Sequence, residues 1–319
     1  MSLARWLTRW NAFWFPTTTT RALGLCRMVA VAAQLFWFFP KLSEHLNLVE
    51  KNSAFIQPQA LIMALTAVVP RDLLFSETGL RSLYVVTMVA GVLALVGWWT
   101  RTALLVLAAG IWIFVAHLYS YGGVHHEAAL FSILLVCLAC SPSGDSFSLD
   151  ALIRDRRGDG GPRVVDTASW ALRLAHVLLA MTYFSTGMTK VIDGGPNWIN
   201  GYTLQGYLFG DAIARGLPLG IWLARQHELC VVLSVYTLLF ELFFFVSLLV
   251  PWTAPLFFIS GIGFHISLYL TGGHDFFPHI VTLVMLLIAT VPRWWEERQG
   301  AIAAATAGLR RRRATLPAA

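Results

Sequence analysis

The chain carries little charge for its length. Only 13% of its 319 residues are charged, whereas 57% are hydrophobic. An ordinary soluble domain has about a quarter of its residues charged, so this composition argues against one. Long apolar runs take the place of surface charge. The sequence therefore predicts an integral membrane protein in a lipid bilayer.

Cysteine is also scarce. All four cysteines lie within or beside apolar runs, which argues against the disulfide framework of a secreted protein. Cys137 and Cys140 form a C-x-x-C pattern, and we interpret both as small buried residues because leucines and valine surround them. Histidines at 125–126 and 274–279 do not have the spacing of a typical metal site. We therefore expect no metal.

Eight apolar runs are close to the 17–25 residues that cross a bilayer as a helix. The fold class predicted is all-α, a polytopic transmembrane helix bundle with about eight spans. An additional apolar stretch at 54–70 is interrupted by Gln57-Pro58-Gln59, which favours a re-entrant or interfacial segment. The predicted spans are 23–40, 82–99, 102–120, 127–142, 168–190, 229–250, 254–272 and 276–292.

Basic residues flank these runs unevenly. The net charge of +6 is explained more simply by the positive-inside rule than by nucleic-acid binding, so no nucleic acid partner is expected. With eight spans, the arginine clusters before the first, after the fourth and after the last all fall on one side. That side is predicted to be cytoplasmic, together with both termini. Lys190 then lies near the exoplasmic face.

The distribution of apolar and basic residues predicts that the chain divides into three segments. Residues 1–22, with tryptophans and arginines interleaved, are typical of an interfacial amphipathic helix and not of a signal peptide. Residues 23–295 form the membrane domain. Residues 296–319 are predicted to be a basic, poorly ordered cytoplasmic tail.

Few ionisable side chains occur inside the spans, where each costs about 2.5–3.5 kcal/mol. Glu241 is expected either to form a structural pair with an arginine or histidine, or to bind a ligand or move a proton. His265 is either a neutral histidine bonded across helices or a functional residue. The ionisable residues within the spans are Arg27, Arg173, His176, Glu241 and His265.

Lys190 ends the fifth apolar run and leaves two interpretations open. Most lysines at span ends are anchors whose flexible stem reaches water. Here, however, Lys190 lies on the side that the positive-inside rule disfavours. A glycine-containing loop with Trp198 follows it, in a position suited to capping a cavity. A lysine in such a place is a candidate base.

Several motifs together resemble one family, the vitamin K-dependent γ-glutamyl carboxylase-like membrane domain, also called the horizontally transferred transmembrane (HTTM) domain. The similarity is to its bacterial, membrane-only members and extends from about residue 20 to 292, which implies the bacterial plasma membrane. The matching positions are Arg27, His125–His126, Ser148-Leu149-Asp150, Arg173, Tyr183-Phe184, Gly187, Lys190, Trp198, Gly201, Glu241, His265 and Phe277-Pro278.

The resemblance implies an enzyme that uses a reduced vitamin K-type naphthoquinone, oxygen and carbon dioxide to carboxylate a glutamate side chain. Lys190 matches the family's base, and His126 or His125 matches a histidine that assists at the same site. Glu241, His265, Arg27, Arg173, Tyr183 and Trp198 are then expected to line the cavity or bind the ligand. The alternative is a non-enzymatic partner, maturation or immunity factor for a secreted or membrane peptide, or a protein that binds a lipophilic ligand.

Overall fold

The helices form a bundle in which the direction of the chain alternates between two ends. The computed structural model describes residues 3–50, 56–122, 127–158 and 166–291, with backbone alone at 127–129 and 166. The predicted all-α fold is confirmed, because the described part consists of helices and their connections, with only two three-residue strands. The helices are α1 (Leu3–Trp14), α2 (Thr20–Phe36), α3 (Leu42–Val49), α4 (Ala60–Leu65), α5 (Arg71–Leu74), α6 (Glu77–Val96), α7 (Thr100–Tyr119), α8 (Glu127–Ala139), α9 (Leu149–Arg157), α10 (Trp170–Thr189), α11 (Pro196–Ile199), α12 (Tyr202–Arg215), α13 (Pro218–Ala224), α14 (His227–Phe243), α15 (Val246–Leu249), α16 (Ala254–Gly272) and α17 (Phe277–Val291).

Four helical segments of the described chain are long and apolar enough to cross a membrane. They are Glu77–Val96, Thr100–Tyr119, His227–Leu249 and Pro251–Gly272. The other predicted spans also form helices, namely α2, α8, α10 and α17. Of these, α8 and α17 are shorter. The chain is an integral membrane protein, and the count of eight spans stays a prediction.

Local sequence explains where the helices begin and end. The Ser76 hydroxyl accepts a hydrogen bond from the Gly79 N–H at 3.0 Å, and the Ser148 hydroxyl accepts one from Ala151 at 2.9 Å. Both serines therefore satisfy a donor that the first helical turn would leave unpaired. Helix α6 ends at Gly97, whose φ of +73° is costly for a residue with a Cβ atom.

One end of the bundle, which we call the arginine end, contains the connections at 97–99, 140–148 and 250–253. A short antiparallel pair of strands, Thr17–Thr19 and Asp166–Ala168, joins the beginnings of α2 and α10 there. The N-terminal helix α1 contacts α10 beside it. The predicted arginine clusters within the described chain therefore lie at one end.

The opposite end, which we call the Lys190 end, contains 37–41, 120–122, 190–201 and 273–276. Helix α10 continues there into a π-helical turn at Lys190–Gly194. The connection at 191–228, between the fifth and sixth predicted spans, is largely helical, and its helices α11, α12 and α13 fold back onto α14 and α16. The interrupted stretch at 54–70 forms only the short helix α4 in its described part, against α7.

An apolar core fills the bundle between the two ends. Residues of α7, α8, α10 and α16 meet there, with Leu107, Phe131, Leu179 and Phe258 almost fully buried. All four cysteines are free, and Cys140 is exposed. The expectation that both residues of the C-x-x-C pattern are buried is therefore wrong for Cys140, because α8 ends at Ala139 and the chain leaves the core.

Candidate functional site

A cavity of about 300 Å³ opens among α10, α12, α14 and α16 at the Lys190 end. Its volume is at the lower end of the range for small-molecule sites. Phe264 and Leu268 contribute apolar walls, whereas the polar groups come about equally from α10 and α14 and from the elements around them. Such a mixture of apolar walls and a few convergent polar groups is typical of a ligand pocket.

Helices α10 and α14 each supply polar residues to the cavity, and three of those residues have the same spacing on both helices. Tyr183, Thr186 and Lys190 follow one another at intervals of three and four residues on α10 and its π-helical extension. Ser234, Thr237 and Glu241 repeat that interval on α14 and line the same cavity. Residues three, four and seven apart share one helix face, so each helix turns one polar stripe toward the cavity.

Lys190 and Glu241 form the strongest polar contact of the cavity. The Lys190 ammonium nitrogen lies 2.9 Å from one Glu241 carboxylate oxygen and 2.8 Å from the other. The Lys190 side chain is 19% exposed and that of Glu241 only 6%. The partner of Glu241 is therefore a lysine, not the arginine or histidine that the sequence suggested.

Gly187 explains why the two helices approach closely enough for this pair. A Cβ atom at position 187 would lie 3.0 Å from a methyl carbon of Leu242 and 3.2 Å from the Glu241 Cβ. Helices α10 and α14 therefore pack through a glycine one turn before Lys190. Small residues permit such backbone approach in membrane bundles.

Trp198 covers the lysine from the outer side. It lies on α11, which Pro196 begins, and the Lys190 nitrogen lies 5.0 Å from the centre of the Trp198 ring. A cation at this distance from an aromatic face is attracted by the ring. The glycine-containing loop predicted to cap a cavity thus places its tryptophan on the lysine.

A second polar pair lies in the same cavity. The Tyr183 hydroxyl is 2.6 Å from Nε2 of His265, which joins α10 to α16. Both side chains are almost fully buried. Phe240 and Phe244 pack on the tyrosine ring, with centroid distances of 5.1 and 4.6 Å. His265 is therefore bonded across helices, within the cavity where Lys190 lies.

At the mouth of the cavity, His274 and Asp211 form a more exposed contact. His274 Nε2 lies 2.7 Å from an Asp211 carboxylate oxygen, and the side chains are 40% and 29% exposed. Arg215 donates to the Gly272 carbonyl nearby. These bonds hold α12 against the end of α16.

The structure brings Lys190, Glu241, His265, Tyr183 and Trp198 together. It does not bring Arg27 and Arg173 to them. Both arginines lie toward the arginine end, where Arg27 donates to the Ser143 and Phe147 carbonyls. Arg173 lies over the Phe13 ring at 5.0 Å. His125 and His126 lie outside the described residues.

Sequence reasoning missed two kinds of residue. Thr186 and Ser234 show a usable signal, since each is on the same helix face as a predicted site residue. His45 and His117 offer no such signal. Their Nδ1 atoms lie 3.1 Å apart in a buried pair, although 72 residues separate them in sequence.

No group of three or more histidine, cysteine or carboxylate side chains suited to a metal ion occurs among residues 3–50, 56–122, 127–158 and 166–291. The polar groups of the cavity are instead suited to hydrogen bonding with an organic ligand. They comprise one ammonium, two carboxylates, two phenols, three imidazoles and several hydroxyl groups.

Comparison with known proteins places this site within one family. No curated protein and no solved structure matches the chain. The model of the HTTM domain family matches residues 15–294, a segment that contains every residue of the cavity. The chain belongs to the HTTM domain family.

Proposed function

We propose that this membrane protein is a quinol-dependent enzyme in which Lys190 and Glu241 together accept a proton from a reduced naphthoquinone. We further propose that this step serves the carboxylation of a glutamate side chain on a secreted or membrane peptide. The observation that carries the proposal is the pair of the buried Glu241 carboxylate with the partly buried Lys190 ammonium, which opens into an apolar cavity that also contains a phenol and an imidazole.

The pair contains a proton acceptor that a protonated lysine alone would lack. An ammonium has no free electron pair and cannot accept a proton, whereas the carboxylate of Glu241 beside it can. The quinol hydroxyl then loses its proton to Glu241, while the Lys190 ammonium remains beside the oxygen that becomes negative. A positive group aimed at developing charge is the usual means of stabilising such a step.

The residues of the cavity also fit a naphthoquinone. Its fused aromatic rings are apolar and require walls such as Phe264 and Leu268, whereas its oxygens require hydrogen-bond partners such as Lys190 and Tyr183. A ligand of this kind dissolves in the bilayer and reaches a membrane-embedded cavity directly. The reduced quinone would supply the four electrons that reduce O₂ to the epoxide oxygen and water.

The net reaction balances with these substrates. Quinol, O₂, CO₂ and a glutamate γ-C–H yield quinone epoxide, water, a γ-carboxyglutamate carboxylate and one proton. Trp198 lies over Lys190, and a site from which bulk water is excluded would protect a reactive carbanion from protonation. By the positive-inside rule the cavity faces the exoplasmic side of a bacterial plasma membrane.

Oxidation of 2-methyl-1,4-naphthoquinol by the purified full chain in lipid nanodiscs tests the proposal. We expect Lys190→Met and Glu241→Gln each to lower turnover by at least about 100-fold, within the range of a proton-transfer role. Lys41→Met is the matched control, since Lys41 also pairs with a glutamate at the Lys190 end but is 77% exposed. It should leave turnover unchanged.

Two further readouts separate the steps. Labelled carbon dioxide should enter a glutamate-containing peptide only when quinol and oxygen are both present. Unchanged quinol oxidation in Lys190→Met would refute the proton-transfer role. Quinone binding without turnover in the wild-type chain would instead favour the alternative, a membrane protein that binds a lipophilic ligand.

A further inference from the structure

The proton step uses Lys190 and Glu241 but leaves the Tyr183–His265 pair of the same cavity without a task. Tyr183 precedes Lys190 by seven residues, or two helical turns, about 10 Å along the helix axis. Both side chains line one cavity. A ligand that reaches from one to the other must therefore carry polar groups at two separated positions.

The hydrogen bond between the tyrosine and the histidine can be arranged in two ways. If the Tyr183 hydroxyl donates to His265 Nε2, the proton of the neutral imidazole lies on Nδ1. That atom is buried and has no hydrogen-bond partner among the described residues. A buried N–H donor without a partner is destabilising.

In the other arrangement, the proton lies on Nε2 and is donated to the tyrosine oxygen. The unpartnered Nδ1 is then only an acceptor, and the Tyr183 O–H is free to donate to another group. Since orphaned N–H donors are rarer in native proteins than under-satisfied acceptors, we favour this tautomer. The free hydroxyl hydrogen belongs to a side chain that lines the cavity.

The ring of Tyr183 is also firmly held. Phe240, Phe244 and the nearly parallel His265 ring surround it at centroid distances of 5.1, 4.6 and 5.7 Å. The hydroxyl therefore has a well-defined position, which favours recognition of a particular ligand geometry.

We infer that Tyr183 donates a hydrogen bond to the second oxygen of a fused aromatic ligand whose first oxygen lies at Lys190, and that His265 orients this hydroxyl. The inference rests on the proposed function and adds a selectivity to it. The site would prefer rings with oxygens at opposite positions, as in a 1,4-dione or 1,4-diol, over rings with a single oxygen.

Binding of two ligands to the full chain in nanodiscs, measured by calorimetry with empty nanodiscs as control, tests this. One ligand is 2-methyl-1,4-naphthoquinone, and the other is 1-tetralone, a fused bicyclic ketone with one oxygen. The single oxygen of the ketone should lie at Lys190, because an ammonium donates a stronger hydrogen bond than a phenol. Tyr183→Phe should weaken naphthoquinone binding about tenfold, the loss expected for one hydrogen bond, and leave ketone binding unchanged.

The role of His265 in positioning requires its own variants. His265→Gln keeps a side-chain nitrogen that can donate to the tyrosine oxygen, so it should retain naphthoquinone affinity. His265→Leu removes that donor and should weaken naphthoquinone binding as much as Tyr183→Phe does. A merely structural role for His265 would not predict rescue by glutamine together with unchanged ketone binding.

The outcomes distinguish this inference from the proposed function. Equal weakening of both ligands by Tyr183→Phe, or no weakening of either, would overturn the inference while naphthoquinone binding and its dependence on Lys190 remain. Failure of the wild-type chain to bind naphthoquinone, or binding that Lys190→Met leaves unchanged, would overturn both.

Discussion

The two ends of the bundle each contain a cation within the packed helices, but the cations have different surroundings. At the arginine end, Arg27 is completely buried and donates to backbone carbonyls of Ser143 and Phe147. At the opposite end, Lys190 pairs with the carboxylate of Glu241 and lines a cavity. Arg27 thus holds a connection in place, whereas Lys190 faces space that a ligand can enter.

This difference separates structural from chemical roles for ionisable groups in a membrane domain. A guanidinium stays charged and presents several donors in a fixed plane, which suits it to fasten a loop. A lysine–carboxylate pair can gain or lose a proton, which suits it to acid–base chemistry. In the sequence, Arg27 lies early in one apolar run and Lys190 ends another, and neither position reveals the partner of the side chain.

We expect the largest loss of stability from a substitution of Arg27 at the arginine end. Arg27→Met leaves the Ser143 and Phe147 carbonyls without their donor and should lower the free energy of unfolding by about 3–5 kcal/mol. Thermal unfolding in detergent, followed by size-exclusion chromatography, measures this. Arg27→Lys should recover only part of the stability because an ammonium lacks the planar fork. A melting temperature unchanged in Arg27→Met would remove the contrast between the ends.

Breaking the pair at the Lys190 end should cost less. Glu241→Leu leaves a partly buried ammonium without its counter-ion and should destabilise the fold by about 2–3 kcal/mol. The double variant Lys190→Met/Glu241→Leu removes both charges and should recover most of that loss, as a double-mutant cycle of melting curves would show. If the two losses simply added, the residues would not be coupled.

Asp150 is a second side chain that stabilises the arginine end, through hydrogen bonds at the beginning of α7. Its carboxylate accepts hydrogen bonds from the Trp99 and Thr100 N–H groups at 2.9 and 2.8 Å, at the beginning of α7. Asp150→Ala should therefore cost about 1–2 kcal/mol, as the loss of a helix cap does. Asp145→Ala is the control, because its pair with Arg154 is exposed at the surface and should contribute little. Equal losses would contradict the capping role.

We expect the smallest loss of stability from a substitution of Asp211 at the mouth of the cavity. Asp211→Asn removes the charge that faces His274, but both side chains are substantially exposed. Solvent screening should limit the change in unfolding free energy to about 0.5 kcal/mol or less. A loss as large as that of Glu241→Leu would show that burial does not explain the difference between the two pairs.

Several elements were predictable because they depend on neighbouring residues. The eight apolar runs correspond to helices, and the break at Gln57-Pro58-Gln59 precedes only a short one. The contact between Lys190 and Trp198 was predictable because only eight positions separate them, and a short loop brings such close neighbours together. Helices α11 to α13 were not predicted, because they consist of short amphipathic segments that become ordered by packing on α14 and α16.

By itself, the sequence determined that this is a helical membrane protein of the HTTM type, and which few ionisable residues lie in its apolar part. Composition and the spacing of apolar residues suffice for that, since backbone hydrogen bonds in a bilayer must be satisfied within helices. Only the tertiary structure decided their partners. Lys190 meets Glu241 across 51 positions and Tyr183 meets His265 across 82, because the rotation and packing of three helices, not their composition, bring those side chains to one cavity.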